Sequence, residues 1–238
     1  MLKLAINGCM GRMGQKITEL ALNDKDIKVV ALIESADRPD VPATSFGLPV
    51  SRTLEAMKGA DALIDFTLPE GTRAALKACR ANKVAIVIGT TGLTAEDDVL
   101  VREASREIGI VKSSNMSIGV NVVFGLLRRS SELLKGYKVS ITETHHVHKK
   151  DAPSGTAKTM AEVIEGMTKE KVADIASVRE GEVVGYHKVT FESDVDTIEI
   201  SHNAKTRAMF AEGALVAAKF LAGKKAGLFN MQEVLGLT

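Results

Sequence analysis

The side chains best suited to proton transfer crowd into one run, Glu143–Ala157, with the sequence ETHHVHKKDAPSGTA. Three of the five histidines fall within four positions of this run, and two lysines follow them directly. The cluster consists of His145, His146, His148, Lys149 and Lys150. A Pro-Ser-Gly turn then leads into a segment of helical spacing, whose first N–H groups favour an anion. Cations beside a helix amino terminus predict a substrate with more than one carboxylate.

Three kinds of site compete for this cluster. His146 and His148 would alternate onto one face of a strand and could bind zinc, but no Cys or obvious third ligand accompanies them. A purely structural strand end is the second alternative, although these cations would repel one another unless an anion is present. Acid–base chemistry is the third, with His145 or Lys149 supplying a proton near neutral pH. We favour the third and expect no metal.

A glycine loop forms the second group with a chemical use. Residues 8–14 read GCMGRMG and directly follow the first predicted strand. Glycines at such a turn let the backbone approach a pyrophosphate, which the amino end of the next helix would bind. Glu34 lies twenty residues beyond Gly14, where a carboxylate can accept hydrogen bonds from ribose hydroxyls. The alternative is a strand–helix turn without a cofactor, but the position of Glu34 favours a dinucleotide.

The residues around Glu34 bear on the choice of cofactor. Its negative charge disfavours the 2′-phosphate of NADPH, and Ser35 rather than an arginine follows it. Arg12 and Arg38 could still reach such a phosphate. The sequence therefore predicts that NADH is preferred and that NADPH is tolerated.

Two further turns follow predicted strands, at the strand ends where this kind of fold binds ligands. They read FTLPEGT over residues 66–72 and GTTG over residues 89–92. Gly89 and Thr91 would bring backbone groups against the nicotinamide half of a dinucleotide. Taken alone, each turn is more typical of an ordinary β–α connection with a helix cap.

These candidate residues need a scaffold, and the first half of the chain predicts alternating strands and helices. Short apolar runs, each bounded by Gly, Asn, Asp or Pro, alternate with longer segments whose apolar residues have helical spacing. The runs are Leu4–Ile6, Val29–Ile33, Ala62–Phe66, Val84–Ile88 and Ile108–Val111. Apolar strands separated by helices predict a parallel sheet covered on both faces, in a Rossmann-like α/β domain.

The second half of the chain shows a different pattern. Apolar and polar residues alternate over Tyr137–Val147, Val189–Phe191 and Thr197–Ile200, which is typical of strands with one solvated face. Two segments of helical spacing interleave with them. We therefore expect residues 116–206 to form an α+β mixed-sheet domain. Residues 1–115 together with 207–238 would form the dinucleotide-binding domain.

Composition restricts the partners. The chain has 238 residues, 31 basic and 30 acidic, so a net charge of +1 gives no field that would attract nucleic acid or an anionic membrane. Seven Phe, two Tyr and no Trp argue against a base-stacking surface. Cys9 and Cys79 are too few and too far apart for a disulfide framework, and no signal-peptide pattern is present. We expect a cytoplasmic protein with a small-molecule substrate.

The run Glu143–Ala157 resembles the signature of the bacterial dihydrodipicolinate reductases (4-hydroxy-tetrahydrodipicolinate reductases). A fifteen-residue match is far more specific than a glycine loop alone. The likeness extends over essentially the whole chain. It includes GRMG at residues 11–14, FT with PE at 66–70, GTTG at 89–92, SNMS at 114–117 and GLF at 227–229.

The resemblance implies a role for each matching residue. Glu34 would bind the adenosine ribose, His145 would donate or accept a proton, and Lys149 would donate one. Ser35 stands where some family members carry Arg, which bears on NADPH use. Substrate carboxylates would contact His146, Gly155 and Thr156. The dinucleotide would lie against Gly8, Cys9, Met10, Gly11, Arg12, Met13, Gly89, Thr90, Thr91, Ser113, Ser114, Asn115 and Met116.

The resemblance also implies an NAD(P)H-dependent oxidoreductase of diaminopimelate and lysine biosynthesis, usually a homotetramer. It makes residues 116–206 the domain for substrate binding, catalysis and oligomerisation. It would reduce the cyclic dicarboxylate 4-hydroxy-tetrahydrodipicolinate to tetrahydrodipicolinate by hydride transfer to the ring followed by protonation. Two alternatives stay open. Another two-domain dehydrogenase, of the amino-acid or homoserine type, would have no reason to carry His145, His146 and Lys149. A non-catalytic dinucleotide sensor would keep the glycine loop and Glu34 without needing the cationic cluster.

Overall fold

The computed structural model describes residues 1–237, which divide into two compact units. The first unit contains residues 1–117 and 210–236, and the second contains residues 118–209 together with residue 237. None of the helices in residues 1–237 has the length and hydropathy that crossing a bilayer requires.

Twelve strands and seven α-helices make up these units. The strands are β1 (Leu2–Asn7), β2 (Ile27–Ile33), β3 (Thr44–Ser45), β4 (Leu48–Ser51), β5 (Ala62–Asp65), β6 (Ala85–Ile88), β7 (Gly109–Lys112), β8 (Lys138–His145), β9 (Asp174–Arg179), β10 (Gly185–Glu192), β11 (Thr197–Ala204) and β12 (Gly227–Phe229). The helices are α1 (Arg12–Leu22), α2 (Pro69–Asn82), α3 (Ala95–Ala104), α4 (Ile118–Leu133), α5 (Gly155–Thr168), α6 (Ala208–Leu221) and α7 (Met231–Val234). One 3₁₀-helix covers Leu54–Met57.

The first unit is built on an eight-stranded sheet in the order β12-β7-β6-β5-β1-β2-β4-β3. Every neighbouring pair is parallel except β3 with β4. Because successive side chains of a strand point to opposite faces, β1 contributes to two cores. Leu4 and Ile6 pack with Ile17 of α1, whereas Ala5 packs with Ala75 of α2. The strand order places the carboxyl ends of β1, β2, β5 and β6 side by side, and these ends carry the cofactor-binding turns.

The second unit contains a four-stranded sheet in the order β11-β10-β8-β9. β10 runs antiparallel to both β8 and β11, while β9 runs parallel to β8. One face packs against α4 and α5, and its largest fully buried side chain is Phe191. Along β8 this covered face presents Val139, Ile141, Glu143 and His145, all buried. One face of β8 therefore carries first two core residues, Val139 and Ile141, and then two ionisable residues, Glu143 and His145.

The predicted fold class, a parallel Rossmann-like sheet followed by a mixed α+β sheet, is confirmed. The sequence patterns missed four strands: β3, β4, β9 and β12. β3 and β12 are two and three residues long, too short to show a period. β9 has no buried residue, so its apolar positions do not alternate with a core face. It forms because its backbone pairs with β8, a contact that depends on tertiary structure.

Candidate active site

The chemistry of the second unit centres on the last residues of β8. Glu143 is fully buried and His145 is 8% exposed, and both lie on the covered face of the sheet. The register places His187 of β10 opposite Glu143 and Arg179 of β9 opposite His145. Three neighbouring strands thereby bring an acid, two imidazoles and a guanidinium to one end of the sheet.

Both oxygens of the Glu143 carboxylate accept hydrogen bonds. Oε1 accepts from Nη2 of Arg179 at 2.9 Å and from the backbone N–H of Ser154 at 3.3 Å. Oε2 lies in short contact with Nδ1 of His145. Because a buried carboxylate needs both charge compensation and hydrogen-bond donors, this set holds Glu143 in its ionised form.

Glu143 and His145 differ in protonation state near neutral pH, because the surroundings lower the pKa of each group. Burial favours the neutral form of Glu143, but hydrogen bonds from Arg179, Ser177 and His145 outweigh it and hold the carboxyl pKa below its usual value. Burial lowers the pKa of His145, against the opposing influence of Glu143. At neutral pH the pair is thus an ionised carboxylate and a neutral imidazole, and the carboxylate favours the tautomer with hydrogen on Nδ1. The Nε2 atom of that tautomer is free to exchange a proton.

Gly185 of β10 leaves space beside the Nε2 atom of His145. A Cβ atom at position 185 would lie 3.1 Å from Nε2 and 3.5 Å from Cδ2 of that ring. Ordinary contacts of a Cβ atom are longer than 3.4 Å. A side chain at this position would therefore displace the imidazole.

Lys149 lies in the loop after β8 and is 22% exposed at its side chain. Its ammonium Nζ lies 2.8 Å from Oδ1 of Asp151. Arg179 donates to the carbonyl oxygen of Lys149 at 3.3 Å and to that of Asp151 at 2.6 Å. The guanidinium that compensates Glu143 therefore also binds the backbone of the loop that carries Lys149.

His146 and His148 do not share a strand face, as the zinc alternative required, because β8 ends at His145. Their ring centroids are 6.1 Å apart, and His148 lies 3.6 Å from the carboxylate of Glu182. The predicted repulsion within the cationic cluster is relieved in part by carboxylates of the chain itself, those of Glu143, Asp151 and Glu182.

The start of α5 lies beside this loop. Ser154 is the N-cap residue, and its hydroxyl accepts a hydrogen bond from the backbone N–H of Ala157 at 3.2 Å. Gly155 and Thr156 form the first turn, where backbone N–H groups have no acceptor within the helix. The bond between Ala152 and Pro153, just before the cap, is cis. The cap of the α5 amino end therefore lies five residues after Lys149, and helix amino ends of this kind favour an anion.

One group of residues has the spacing of metal ligands. Glu143, His145 and His187 offer ligand atoms within 4.8 Å of one another. Both Glu143 oxygens already accept hydrogen bonds, and the Arg179 cation lies against the same carboxylate. Because that guanidinium would repel a divalent cation, the arrangement suits acid–base chemistry better than metal binding.

In the glycine loop of the first unit, Gly8 and Gly14 lie so close to neighbouring backbone atoms that a side chain would collide with them. Gly8 has a φ of +77°, and a Cβ there would lie 2.6 Å from the carbonyl oxygen of Phe66. A Cβ at Gly14 would lie 2.1 Å from the carbonyl oxygen of Gly8. Both positions therefore require glycine. Gly11 is the N-cap residue of α1 and provides no side-chain cap, so the amino end of α1 is open to a pyrophosphate.

The other residues predicted to bind the pyrophosphate contribute mainly backbone. Cys9 is 1% exposed, and burial raises its pKa to about 11, so its side chain belongs to the core. Met10 donates its N–H to Glu34 at 3.0 Å. Arg12 is exposed and begins α1, and Met13 is half-buried against the core.

Glu34 lines a cavity of about 680 Å³ next to the glycine loop. It accepts hydrogen bonds from the backbone N–H of Met10 and Ser35 and lies 3.2 Å from the guanidinium of Arg38. Arg38 and Arg52 also line the cavity. Arg52, which the sequence patterns missed, donates to the carbonyl oxygen of Arg38 at 2.6 Å and so shapes the wall around Glu34.

Asp65, at the end of β5, is a second residue that the sequence patterns missed. Its fully buried carboxylate accepts hydrogen bonds from the side chains of Asn7, Thr67, Thr72 and Thr90. Burial raises its pKa above the usual value, although these hydrogen bonds oppose the shift. The carboxylate thereby ties together the turns that follow β1, β5 and β6.

The turn after β6 packs against the turn after β5. A Cβ at Gly89 would lie 2.2 Å from the Phe66 ring, so the glycine allows this contact. Thr90 donates its hydroxyl to Asp65 and accepts a hydrogen bond from the N–H of Thr67. Thr91 is exposed at the edge of a cavity of about 590 Å³.

The segment after β7 completes the predicted cofactor residues. Ser113 and Ser114 line the same 590 Å³ cavity as Thr91. Asn115 and Met116 are buried, and the Asn115 side chain accepts a hydrogen bond from the N–H of Ser117 at 2.8 Å. Asn115 and Met116 therefore shape this segment from within.

Comparisons with known proteins show the family. A family profile described as "Dihydrodipicolinate reductase, N-terminus" matches residues 2–116, and "Dihydrodipicolinate reductase, C-terminus" matches residues 119–235. The chain belongs to the dihydrodipicolinate reductase family. It is accordingly an NAD(P)H-dependent oxidoreductase, as the resemblance implied.

Individual relatives agree with the family profiles. The 4-hydroxy-tetrahydrodipicolinate reductase of Nitrosomonas eutropha is 42% identical over 265 aligned positions, which cover 100% of this chain and 99% of the relative. That of Laribacter hongkongensis is also 42% identical and covers 99% of this chain and 98% of its own. The solved structure of dipicolinate-bound dihydrodipicolinate reductase from Paenisporosarcina sp. TG-14 has the same fold. It matches with a TM-score of 0.81 at 24% identity and covers 98% of both chains.

Within this member of the family, the structure separates the predicted residues into two groups. His145, His146, Lys149, Gly155 and Thr156 lie in the second unit, around the end of β8 and the start of α5. The predicted cofactor residues all lie in the first unit, at or after strand ends. Sequence patterns missed Arg179, Gly185 and His187, which strands β9 and β10 bring beside the end of β8.

Proposed function

We propose that the protein reduces 4-hydroxy-tetrahydrodipicolinate to tetrahydrodipicolinate in diaminopimelate and lysine biosynthesis, with the 4-hydroxyl group leaving as water. One observation carries the proposal beyond family membership. The Glu143–His145 pair and Lys149 lie in and just after β8, in the loop that leads to the amino end of α5. This combination supplies proton-transfer groups next to sites for a dicarboxylate.

The first unit fits a pyridine nucleotide. The glycine contacts at Gly8 and Gly14, the open end of α1 and the Glu34 cavity suit a pyrophosphate next to an adenosine ribose. We assign Gly8–Met13 to the pyrophosphate, Glu34 to the ribose, and Gly89–Thr91 with Ser113–Met116 to the nicotinamide half. When bound, the reduced nucleotide supplies the hydride.

The second unit supplies charge and protons. We assign the substrate carboxylates to His146, Gly155 and Thr156. Lys149, as a cation, stabilises the negative charge that develops at the ring nitrogen and delivers a proton, a charge-assisted hydrogen bond contributing about 1.5–3 kcal/mol. His145, neutral with hydrogen on Nδ1, acts at Nε2, which must first accept a proton before it can donate one. Burial keeps His145 neutral near pH 7 by lowering its pKa, so Lys149 is the cation that faces the substrate first.

Turnover with the freshly made condensation product of pyruvate and aspartate semialdehyde tests this function. We expect reduced nicotinamide to be oxidised only when this product is present. Lys149→Ala and His145→Gln should each lower kcat by ~10²–10⁴-fold while the dissociation constant of the nucleotide is retained. Lys158→Ala, on the exposed face of α5, is the matched control. Full activity in both variants would contradict the proposal, and nucleotide binding without turnover would identify a dinucleotide sensor.

We also propose that NADH is the preferred cofactor and that NADPH is tolerated. The Glu34 carboxylate lines the cavity beside the glycine loop, where it would repel a 2′-phosphate. Arg38 and Arg52 line the same cavity and supply the compensating charge that permits NADPH. The ratio of kcat/KM for the two nucleotides tests this, and a strong preference for NADPH would contradict it.

The remaining assignments concern assembly and compartment. We propose that residues 1–115 with 207–238 bind the dinucleotide, that residues 116–206 bind substrate, and that the protein is a cytoplasmic homotetramer. We assign the assembly contact to the face of the second sheet away from α4 and α5, where Val178 is 41% exposed. Light scattering coupled to gel filtration measures the mass, and a monomeric mass would exclude the tetramer.

A further inference from the structure

The Glu143–Arg179 ion pair touches both residues assigned to proton transfer. The carboxylate of Glu143 contacts Nδ1 of His145, and Arg179 binds the carbonyl oxygens of Lys149 and Asp151. The pair itself is joined at 2.9 Å, with the Glu143 side chain fully buried and that of Arg179 20% exposed. Neither residue needs to touch the substrate to influence both proton donors.

We propose that Glu143 and Arg179 act as positioning residues, Glu143 for the ring and tautomer of His145 and Arg179 for the loop that carries Lys149. This inference rests on the proposed function for its kinetic consequences. Its structural content, that Glu143 fixes which nitrogen of His145 bears hydrogen, is independent of the substrate.

The geometry favours positioning over a purely structural ion pair. A buried ion pair that only stabilised the fold would not need an imidazole on the second carboxylate oxygen. Glu143 contacts Nδ1, and the Gly185 position leaves room beside Nε2 on the other side of the ring. The ring is thus held at one nitrogen and open at the other, the arrangement by which a carboxylate orients a catalytic histidine.

Arg179 complements this arrangement from the neighbouring strand. Its guanidinium divides its donors between the Glu143 carboxylate and three backbone carbonyls, those of Lys149, Asp151 and Val178. A planar guanidinium holds several acceptors in fixed directions, whereas a lysine ammonium would not. We therefore assign its charge to Glu143 and to the loop and not to a substrate carboxylate.

The pH behaviour of His145 depends on every charge around it. The groups that face it are Glu143 on its own strand, Arg179 on β9, His187 on β10, and Lys149 with Asp151 in the loop. Glu143 favours the protonated ring, whereas Lys149, Arg179 and burial oppose it. Without the charge of Glu143, the influences on His145 that remain are burial, Lys149 and Arg179, which all disfavour the protonated ring. The pKa of His145 therefore falls.

The first experiment reads the tautomer directly. Imidazole ¹⁵N chemical shifts of the full chain, labelled at histidine, are followed across pH in the wild type, in Glu143→Gln and in a control, Glu162→Gln. Glu162 is an exposed residue of α5. The His145 signals are identified by their loss in His145→Gln. We expect neutral His145 to carry hydrogen on Nδ1 in the wild type and the control. In Glu143→Gln we expect a shift toward the other tautomer and a lower pKa.

The second experiment uses turnover. We expect Glu143→Gln to lower kcat by ~10²-fold, part of the range that general acid–base catalysis contributes, with nucleotide affinity unchanged. The limb of the pH profile of kcat/KM that His145→Gln abolishes should move to lower pH. Because Glu143→Gln leaves the Arg179 charge without its partner, the double variant Glu143→Gln with Arg179→Met is included. It should be more stable than the single variant while kcat stays low.

The outcomes separate the two proposals. An unchanged His145 tautomer in Glu143→Gln overturns positioning by Glu143, whether or not the protein turns over. A wild type that shows the expected tautomer but no reaction overturns the proposed function and leaves the positioning role standing. If the double variant recovers both stability and kcat, the ion pair is only structural. For Arg179, a single Arg179→Met variant with an unchanged substrate KM and kcat overturns its role in holding the Lys149 loop.

Discussion

The imidazole of His187 stands edge-on to that of His145, with ring centroids 5.1 Å apart and ring planes at 77°. Burial, followed by repulsion from His145, lowers the pKa of His187 to about 4. Nε2 of His187 lies 3.2 Å from the hydroxyl of Ser154, the cap of α5. A neutral ring therefore connects the proton-transfer pair to the helix end assigned to substrate carboxylates.

This contact predicts a pH-dependent stability. In the unfolded chain His187 has its ordinary pKa near 6.5, so between about pH 6.5 and 4 the unfolded state binds more protons than the folded state. The free energy of unfolding should fall as pH falls through this window, by at most about 3 kcal/mol from this residue. Urea unfolding at a series of pH values measures it. His187→Gln should flatten the slope, and His148→Gln, at an exposed position, should not.

Adding one methyl group at Gly185 should disturb catalysis more than folding. The new Cβ would lie 3.1 Å from Nε2 of His145, so the ring must shift by a few tenths of an ångström. We expect Gly185→Ala to lower kcat ~10-fold, because small misplacements of a proton-transfer group are costly. Gly166→Ala, on α5 with open space around it, is the control. Unchanged kcat in Gly185→Ala would mean that the ring tolerates the displacement.

Asp65 should couple stability to nucleotide binding. Asp65→Ala leaves one buried amide and three hydroxyls without their common acceptor and should lower the free energy of unfolding by about 2–4 kcal/mol. The loosened turns should also weaken NADH binding, measured by fluorescence titration. Asp65→Asn keeps an acceptor oxygen and should have the smaller effect. Asp61→Asn, at an exposed carboxylate just before β5, serves as control, and equal losses in both proteins would contradict the assignment.

The charge of Glu34 should set the cofactor preference. Glu34→Gln keeps the shape of the side chain and an acceptor for backbone N–H, but removes the charge that opposes a 2′-phosphate. We expect kcat/KM for NADPH relative to NADH to rise ~10-fold. Glu19→Gln, exposed on α1, should leave the ratio unchanged. If the ratio stays constant in Glu34→Gln, Arg38 and Arg52 determine the preference instead.

Local sequence predicted the parallel sheet well because its strands are buried on both faces. Leu63, Ile64, Ile86 and Val87 leave no solvated position, and runs of this kind rarely form anything else between helices. The glycine loop could also be predicted from sequence, because the backbone comes so close at Gly14 that only glycine fits there.

The partners of His145 could not be found in this way. Arg179 and His187 lie thirty-four and forty-two positions further along the chain, and each reaches the site through strand register. Neither lies in a motif of its own. Asp65 likewise looks like an ordinary strand end until Asn7 and Thr90 are seen to converge on it. Pairing between strands, rather than spacing within them, determined these contacts.

The position of core and proton-transfer residues on one face of β8 has a consequence for misfolding. Val139, Ile141, Glu143 and His145 all point to one side, so sliding the strand by a single position would turn all four toward solvent together. The chain would lose two core residues in the same movement that removed its proton-transfer pair. An ordered but inactive form with shifted strand pairing is therefore unstable, and selection for a folded second sheet is also selection for an intact active centre.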